Sequence, residues 1–237
     1  MASPRFAATP SGFVSPKPVS FIAANGTAAK VLVEPQAAAV AADPQPAFYG
    51  GQTVLDIVAS STDGSGKDVV VYQGNVLTTQ DATDTSDITV STQNTLTRAA
   101  GSFISNGWLV GDLLMVFAPV DAAQVVSGID GVLGTVTAVT APAITLNGTP
   151  LAAGTNVLTA GTRIVNVSQI FRATVAANSG NASATPNVRL LGNANDQTIF
   201  QAEWKLGSTS MLIVGMQAAV SALPAFVSIC ARSAARY

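Results

Sequence analysis

Histidine is absent from this 237-residue chain, and cysteine occurs once, at Cys230. The first absence excludes His-dependent nucleophile triads, Cys-His pairs and most zinc sites, and the second excludes an internal disulfide. Within the apolar run Phe226-Val227-Ser228-Ile229-Cys230-Ala231 the lone cysteine reads as a small buried hydrophobe rather than a reactive thiol. Charge is scarce as well. Eleven basic and 13 acidic residues make 10% of the chain, against about 25% in an average soluble domain. With a formal net charge of −2 and thinly scattered basic residues, nothing marks a nucleic-acid partner or an anionic-membrane patch. A surface so poorly charged fits a subunit that buries much of itself against neighbours.

Uninterrupted apolar runs are also missing. Pro4, Pro10, Pro16 and Pro18 break up Met1 to Ala24, where a secretory signal would need a continuous apolar region, so no signal peptide is expected. Met211 to Ala231 carries no charge over a bilayer-spanning length, but Gln217, Ser221 and Pro224 divide it into two strand-length halves. Its β-branched and aromatic residues favour strands buried on both faces over a transmembrane helix.

What the chain does have is strand and turn grammar. Gly101 to Leu151 alternates apolar runs with turn residues. Asn106-Gly107 and Gly111-Asp112 stand where positive φ is needed, Gly134 to Thr140 alternates at period two, and Ala143 to Leu146 runs into Asn147-Gly148. This pattern predicts a small β-barrel. Upstream, Val19 to Ile22 and Lys30 to Glu34 read as strands around an Asn25-Gly26-Thr27 turn. Thr53 to Ser60 and Val69 to Tyr72 read as a hairpin about Asp63-Gly64. Downstream, Arg172 to Val175, Asn187 to Leu191, Thr198 to Leu206 and the two halves of Met211 to Ala231 complete the set. The outer segments supply about eight strands, the jelly-roll number. The expected architecture is therefore all-β: an extended N-terminal arm over 1–18, a jelly-roll-like sandwich from 19–86 plus 172–237, and an inserted small β-barrel over 87–171.

Chemistry-bearing motifs are few. Gly64-Ser65-Gly66-Lys67 suggests a phosphate loop but fails on spacing: position 61 is Ser61 and Asp68 follows the lysine. It also lacks the alternate carboxylates of a calcium loop. Asp81, Asp84 and Asp87 read as a solvated linker. Asp112 with Asp130, or Glu34 with Glu203, are the pairs a glycosidase would use, and nothing in their spacing brings either pair together. No catalytic residue, metal site or cofactor is expected.

Two stretches carry a resemblance. Phe21 to Val33 with Val54 to Asp63 and Lys67 to Tyr72 is similar to the opening of small phage structural proteins, in which NGT-x-x-K precedes a strand, an STD triplet and another strand. Gly101 to Asp112, with Gly134 to Val139 after it, resembles the SF-x-x-x-G-(F/W)-x-x-GD barrel of phage head and tail proteins. The resemblance implies a tailed-bacteriophage virion structural protein without a catalytic site. The expected role is a capsid decoration (cement) protein, made in the host cytoplasm and placed on the capsid surface. Its partners would be copies of itself, as a trimer, and the major capsid protein. Tail-tube or head-to-tail connector components and receptor-binding or adhesin modules are the alternatives. Candidate interface anchors are Phe6, Phe13 and Phe21 in and beside the arm, and Trp108 in the barrel. Trp108, Trp204 and Tyr49 are the aromatics that an adhesin would stack on sugars.

Overall fold

The computed structural model describes residues 13–14, 18–35, 52–80, 88–118, 129–151, 156–158, 160–180, 185–190, 204–221 and 224–235. Among them the chain is built from strands and one 3-10 turn at Ala23–Asn25. The first half holds β1 (Phe13–Val14), β2 (Val19–Ile22), β3 (Lys30–Val33), β4 (Gln52–Ser61), β5 (Lys67–Thr79), β6 (Ile88–Thr92), β7 (Thr95–Arg98) and β8 (Leu113–Phe117). The second half holds β9 (Leu133–Val139), β10 (Ala143–Leu146), β11 (Asn156–Val157), β12 (Arg163–Val175), β13 (Val188–Arg189), β14 (Trp204–Leu206), β15 (Ser210–Met216) and β16 (Phe226–Ala235).

These strands make an all-β sandwich of two antiparallel sheets. The smaller runs β1-β16-β4-β13, with β14 also on β4 and β2 also on β16. The larger is continuous through ten strands, β11-β6-β7-β10-β9-β8-β12-β5-β15-β3. The charge-free stretch from Met211 to Ala231 is divided between them: β15 lies in the large sheet between β5 and β3, and β16 lies in the small one. No helix among the described residues is long and apolar enough to cross a membrane.

Three apolar clusters account for the packing. The sandwich core sets Phe21, Val54, Ile57, Val227 and Ile229 of the small sheet against Val69, Val71, Phe171, Leu212 and Val214 of the large one. A second core fills the insert with Ile88, Val90, Leu96, Phe103, Trp108, Leu114, Val136, Ile144, Leu146 and Ile164. A third, containing Val70, Tyr72, Met115, Val165, Met211 and Ile213, lies on the other face of the large sheet. Alternation along one strand feeds both sides, since Val69 and Val71 point one way and Val70 and Tyr72 the other. The third core is enclosed because the sheet curls. Gly131 donates its N–H to Val116 O at 2.8 Å, and Ala29, next to β3, donates to Gly131 O at 2.9 Å. Residues 129–131 thus bridge β8 to the strand at the far side of the curl.

That closure depends on one glycine. Gly131 has φ +69, and a Cβ there would sit 2.7 Å from Ala29 N and collide with the Ala29 carbonyl. Both obstacles are backbone, which cannot swing aside. Gly131→Ala is expected to cost about 3 kcal/mol, read as a lowered urea midpoint.

Two sequence expectations change here. Thr53 to Ser60 and Val69 to Tyr72 are strands, but they do not form a hairpin. β4 pairs with β16, β13 and β14, whereas β5 pairs with β12 and β15. The turn around Asp63 crosses from one sheet to the other, so the two strands meet through side chains across the sandwich core. Burial explains the difference, because paired side by side in one sheet they could not cover each other's apolar faces. Likewise β2 joins β16 and β3 joins β15, so the turn at Gly26, with φ +57, is also a crossing between sheets.

The stretch that packs into the second core runs from β6 (Ile88–Thr92) and leads back into β12 (Arg163–Val175). β5 and β12 pair along their length from Lys67↔Val175 to Thr79↔Arg163, with register shifts between Ile164 and Val165 and between Gln169 and Phe171. Ile164 serves the insert core and Phe171 the sandwich core. The two cores therefore hang on one pair of long strands.

Candidate functional site

The loop between β7 and β8 joins a buried anchor to an exposed tip. Phe103 is fully buried and Trp108 is 1% exposed, both in the insert core, and the Trp108 indole donates to Thr78 Oγ1 at 3.0 Å. Between and beyond these anchors, Ile104 is 57%, Leu109 67% and Val110 66% exposed. Of the five large apolar residues that are exposed among the described residues, three belong to this loop.

The tip is held, not loose. Phe103 donates its backbone N–H to Ala141 O at 2.9 Å and Gly107 to Ile104 O at 3.0 Å. The Arg98 guanidinium stacks 5.2 Å from the Phe103 ring and donates to Asn106 Oδ1 at 2.8 Å, while Asn106 Nδ2 donates to Leu77 O at 3.1 Å. Leu109-Val110-Gly111-Asp112 forms a tight turn with Gly111 at φ +95, as the third position of such a turn requires. Asp112 closes it by accepting from Leu109 N at 2.8 Å, and the strand beside it receives Gly111 N at Val136 O, 2.9 Å. An apolar surface fixed this firmly loses little entropy when a partner covers it.

The anchors foreseen from sequence fall differently. Phe6 and Tyr49 lie outside the described residues. Phe13 sits on β1, whose backbone is docked on the chain's own β16 through Phe13↔Ala234 and Val14↔Ser233. Phe21 is 0% exposed within the sandwich core, and Trp108 is as deeply buried in the insert. These two side chains therefore pack within the subunit rather than anchor an interface. Bulky aromatics complete a core of small aliphatics, a role that composition alone cannot distinguish from anchoring a partner. The residues that do reach solvent are the short aliphatics beside Trp108. Their signal in the sequence is Leu109-Val110 enclosed between Gly107 and Gly111.

Acidic residues serve structure where they are described. Asp112 holds the tip turn, and Asp130 accepts from Ala118 N at 2.8 Å beside the sheet closure. Burial raises the Asp130 carboxyl above its ordinary range, against hydrogen bonding from Ala118 and the nearby Arg163 and Lys30 charges. Glu34 forms an ion pair with Arg163. Glu203 and the Asp81, Asp84, Asp87 run lie outside the described residues. No group of three His, Cys, Asp or Glu is placed to hold a metal ion among the described residues. Cys230 on β16 is half-buried.

Two hollows are lined by described residues. One, of about 510 Å³, opens beside the closure and is lined by Ala29, Tyr72, Met115, Gly131, Leu133 and Met216 among others. Burial pushes the Tyr72 phenol above its ordinary value. The other, of about 390 Å³, lies at the end of the sandwich, where Trp204 of β14 faces β5 and β12.

Compared with protein-family models, with curated proteins and with solved structures, the chain matches none of them.

Proposed function

We propose that this chain is a non-enzymatic structural subunit of a tailed-phage virion, a capsid decoration protein that assembles with copies of itself and stabilises the shell by adding buried area. The observation that carries this reading is the ordered apolar tip at Ile104, Leu109 and Val110. An isolated subunit gains nothing from holding three large aliphatics in water on a hydrogen-bonded turn, whereas a partner gains from covering them. Burying the three side chains is worth about 5 kcal/mol before association costs are subtracted. The sparse charge of the chain supports the same reading, as does the resemblance carried by Gly101 to Asp112, the segment that forms the tip.

The test is a Leu109→Asp, Val110→Asp double variant. Both side chains are exposed, so its melting temperature is expected to match the parent within about 2 °C. The parent is expected to sediment as a discrete small oligomer and to co-sediment with expanded shells of the major capsid protein from the same genome. The variant should lose at least about 100-fold in one or both associations. A parent that grows into open-ended tubes and ignores the shells would move the protein to the tail. A variant that associates as the parent does would remove the tip from the interface.

A further inference from the structure

We propose that the groove beneath Trp204 is a binding site for a neutral saccharide. This is independent of the apolar tip and adds a ligand-recognition activity to a structural subunit.

The groove forms where the sandwich core ends. Along β5 the apolar side chains Val69 and Val71 enter that core, and two positions further on the strand carries Gln73 and then Asn75. β12 contributes Ser168, Gln169 and Ile170 beside a register shift between Gln169 and Phe171. Trp204, from the opposite sheet, lines the other side and packs with Ile170 against the edge of the core. The resulting hollow of about 390 Å³ lies at the small end of ligand pockets, a size suited to one or two sugar rings.

The chemistry of the lining selects the ligand. None of the six described residues that line it is charged, so these side chains offer neither an anion nor a cation a counter-charge. The two amides are also oriented from within. Gln73 Oε1 accepts the Trp204 indole N–H at 3.1 Å, and Asn75 Oδ1 accepts the Ser210 hydroxyl at 2.6 Å. With both carbonyls engaged, both –NH₂ groups lack an acceptor among the described residues, and each carries two N–H donors. The Gln169 amide and the Ser168 hydroxyl add groups that both donate and accept. A sugar offers the match: hydroxyls to receive fixed amide donors, and an apolar ring face to lie against an indole. A peptide would need several apolar subsites, whereas Trp204 and Ile170 are the only apolar residues among the described ones that line this small hollow.

The readout exploits the two tryptophans of the chain. In ¹H–¹⁵N spectra of the full-length protein the indole resonances of Trp108 and Trp204 are distinguished by a Trp204→Phe variant. Methyl glycosides of glucose, galactose, mannose, N-acetylglucosamine and rhamnose are titrated one at a time, with glucuronate as the charged control. At least one neutral glycoside is expected to shift the Trp204 resonance saturably, with Kd of about 1–10 mM, while Trp108 stays still. Gln169→Ala, which trims an exposed side chain and leaves the core alone, should weaken that binding about tenfold. The proposal is overturned if no neutral glycoside moves the Trp204 resonance at about 100 mM. It is equally overturned if Gln169→Ala binds as the parent does, or if glucuronate binds more tightly than every neutral sugar.

Discussion

Replacing Trp108 by alanine should lower stability by about 4 kcal/mol, corresponding to about 10 °C in melting temperature. The indole is 1% exposed, lies among Leu96, Leu114, Val136 and Ile144, and satisfies Thr78 through its N–H. Truncation opens a large cavity and leaves the buried Thr78 hydroxyl without its donor, so transfer, cavity and polar terms add with the same sign. Since β5 and β12 run through both cores, the loss is expected to appear in the main unfolding transition and not in a separate early step. Urea denaturation followed by far-UV circular dichroism measures it. The comparison with Leu109→Ser, one residue away and 67% exposed, is decisive: that change should move stability by less than about 0.5 kcal/mol. If Trp108 were instead an interface anchor, its removal would spare stability and abolish assembly, the reverse of the expected pair of results.

The contrast between neighbours shows where the sequence was legible. Turn chemistry was read well, because a positive φ leaves a residue-level mark: Gly107, Gly111 and Gly148 all take φ between +66° and +95°. Strand positions were also accessible, since period-two alternation survives folding, as in β9. Pairing was less so. Asp63-Gly64 between two β-rich runs is the same signal whether the strands turn beside each other or cross between sheets. Only the mutual burial of Val54, Ile57, Val69 and Val71 decides between those outcomes, and no local pattern encodes it. The eight-strand count suggested a jelly roll, but a count does not contain an order, and the observed order makes one ten-stranded sheet out of sandwich and insert together. The site was hidden for a related reason. Phe103, Ile104, Trp108 and Leu109 are all apolar in sequence, and which of them face water depends on a turn held by Arg98, Asn106 and Asp112 from several directions.

Asp63 yields the other large effect, through a pH dependence. Asp63 is 0% exposed and, through its carboxylate and its backbone carbonyl, joins three segments. Oδ1 accepts Ser65 N and Ser65 Oγ, each at 2.9 Å, and Ser221 Oγ at 3.1 Å. Oδ2 accepts Ser221 N at 2.7 Å and pairs with Lys67 Nζ at 3.4 Å. The Asp63 backbone carbonyl receives Asn178 N at 3.0 Å, tying in the turn after β12. Burial alone would raise this carboxyl, but the hydrogen bonds from Ser221 and Ser65 outweigh it and hold the group well below the usual carboxylate range. Asp63→Ala removes the acceptor for four donors and leaves the Lys67 ammonium beside an apolar methyl, at a cost of about 3–4 kcal/mol near neutral pH. The sign of the pH effect follows from linkage. Unfolded, the group titrates near about 3.9, and folded it titrates lower, so its contribution is full above about pH 5 and is lost as pH falls through about 4 toward the folded value. Asp68, lowered by Thr174 and Arg172, acts in the same direction, whereas Asp130, raised by burial, acts in the opposite one. Subtracting the variant's denaturation profile from the parent's removes both of these and isolates Asp63. The stability gap between parent and Asp63→Ala should be widest from pH 5 to 7 and should narrow by pH 3, because the parent loses what the variant never had. A gap that is constant over this range would mean that the serines are held by the shape of the turn alone and that the charge of Asp63 contributes nothing to closing the sandwich.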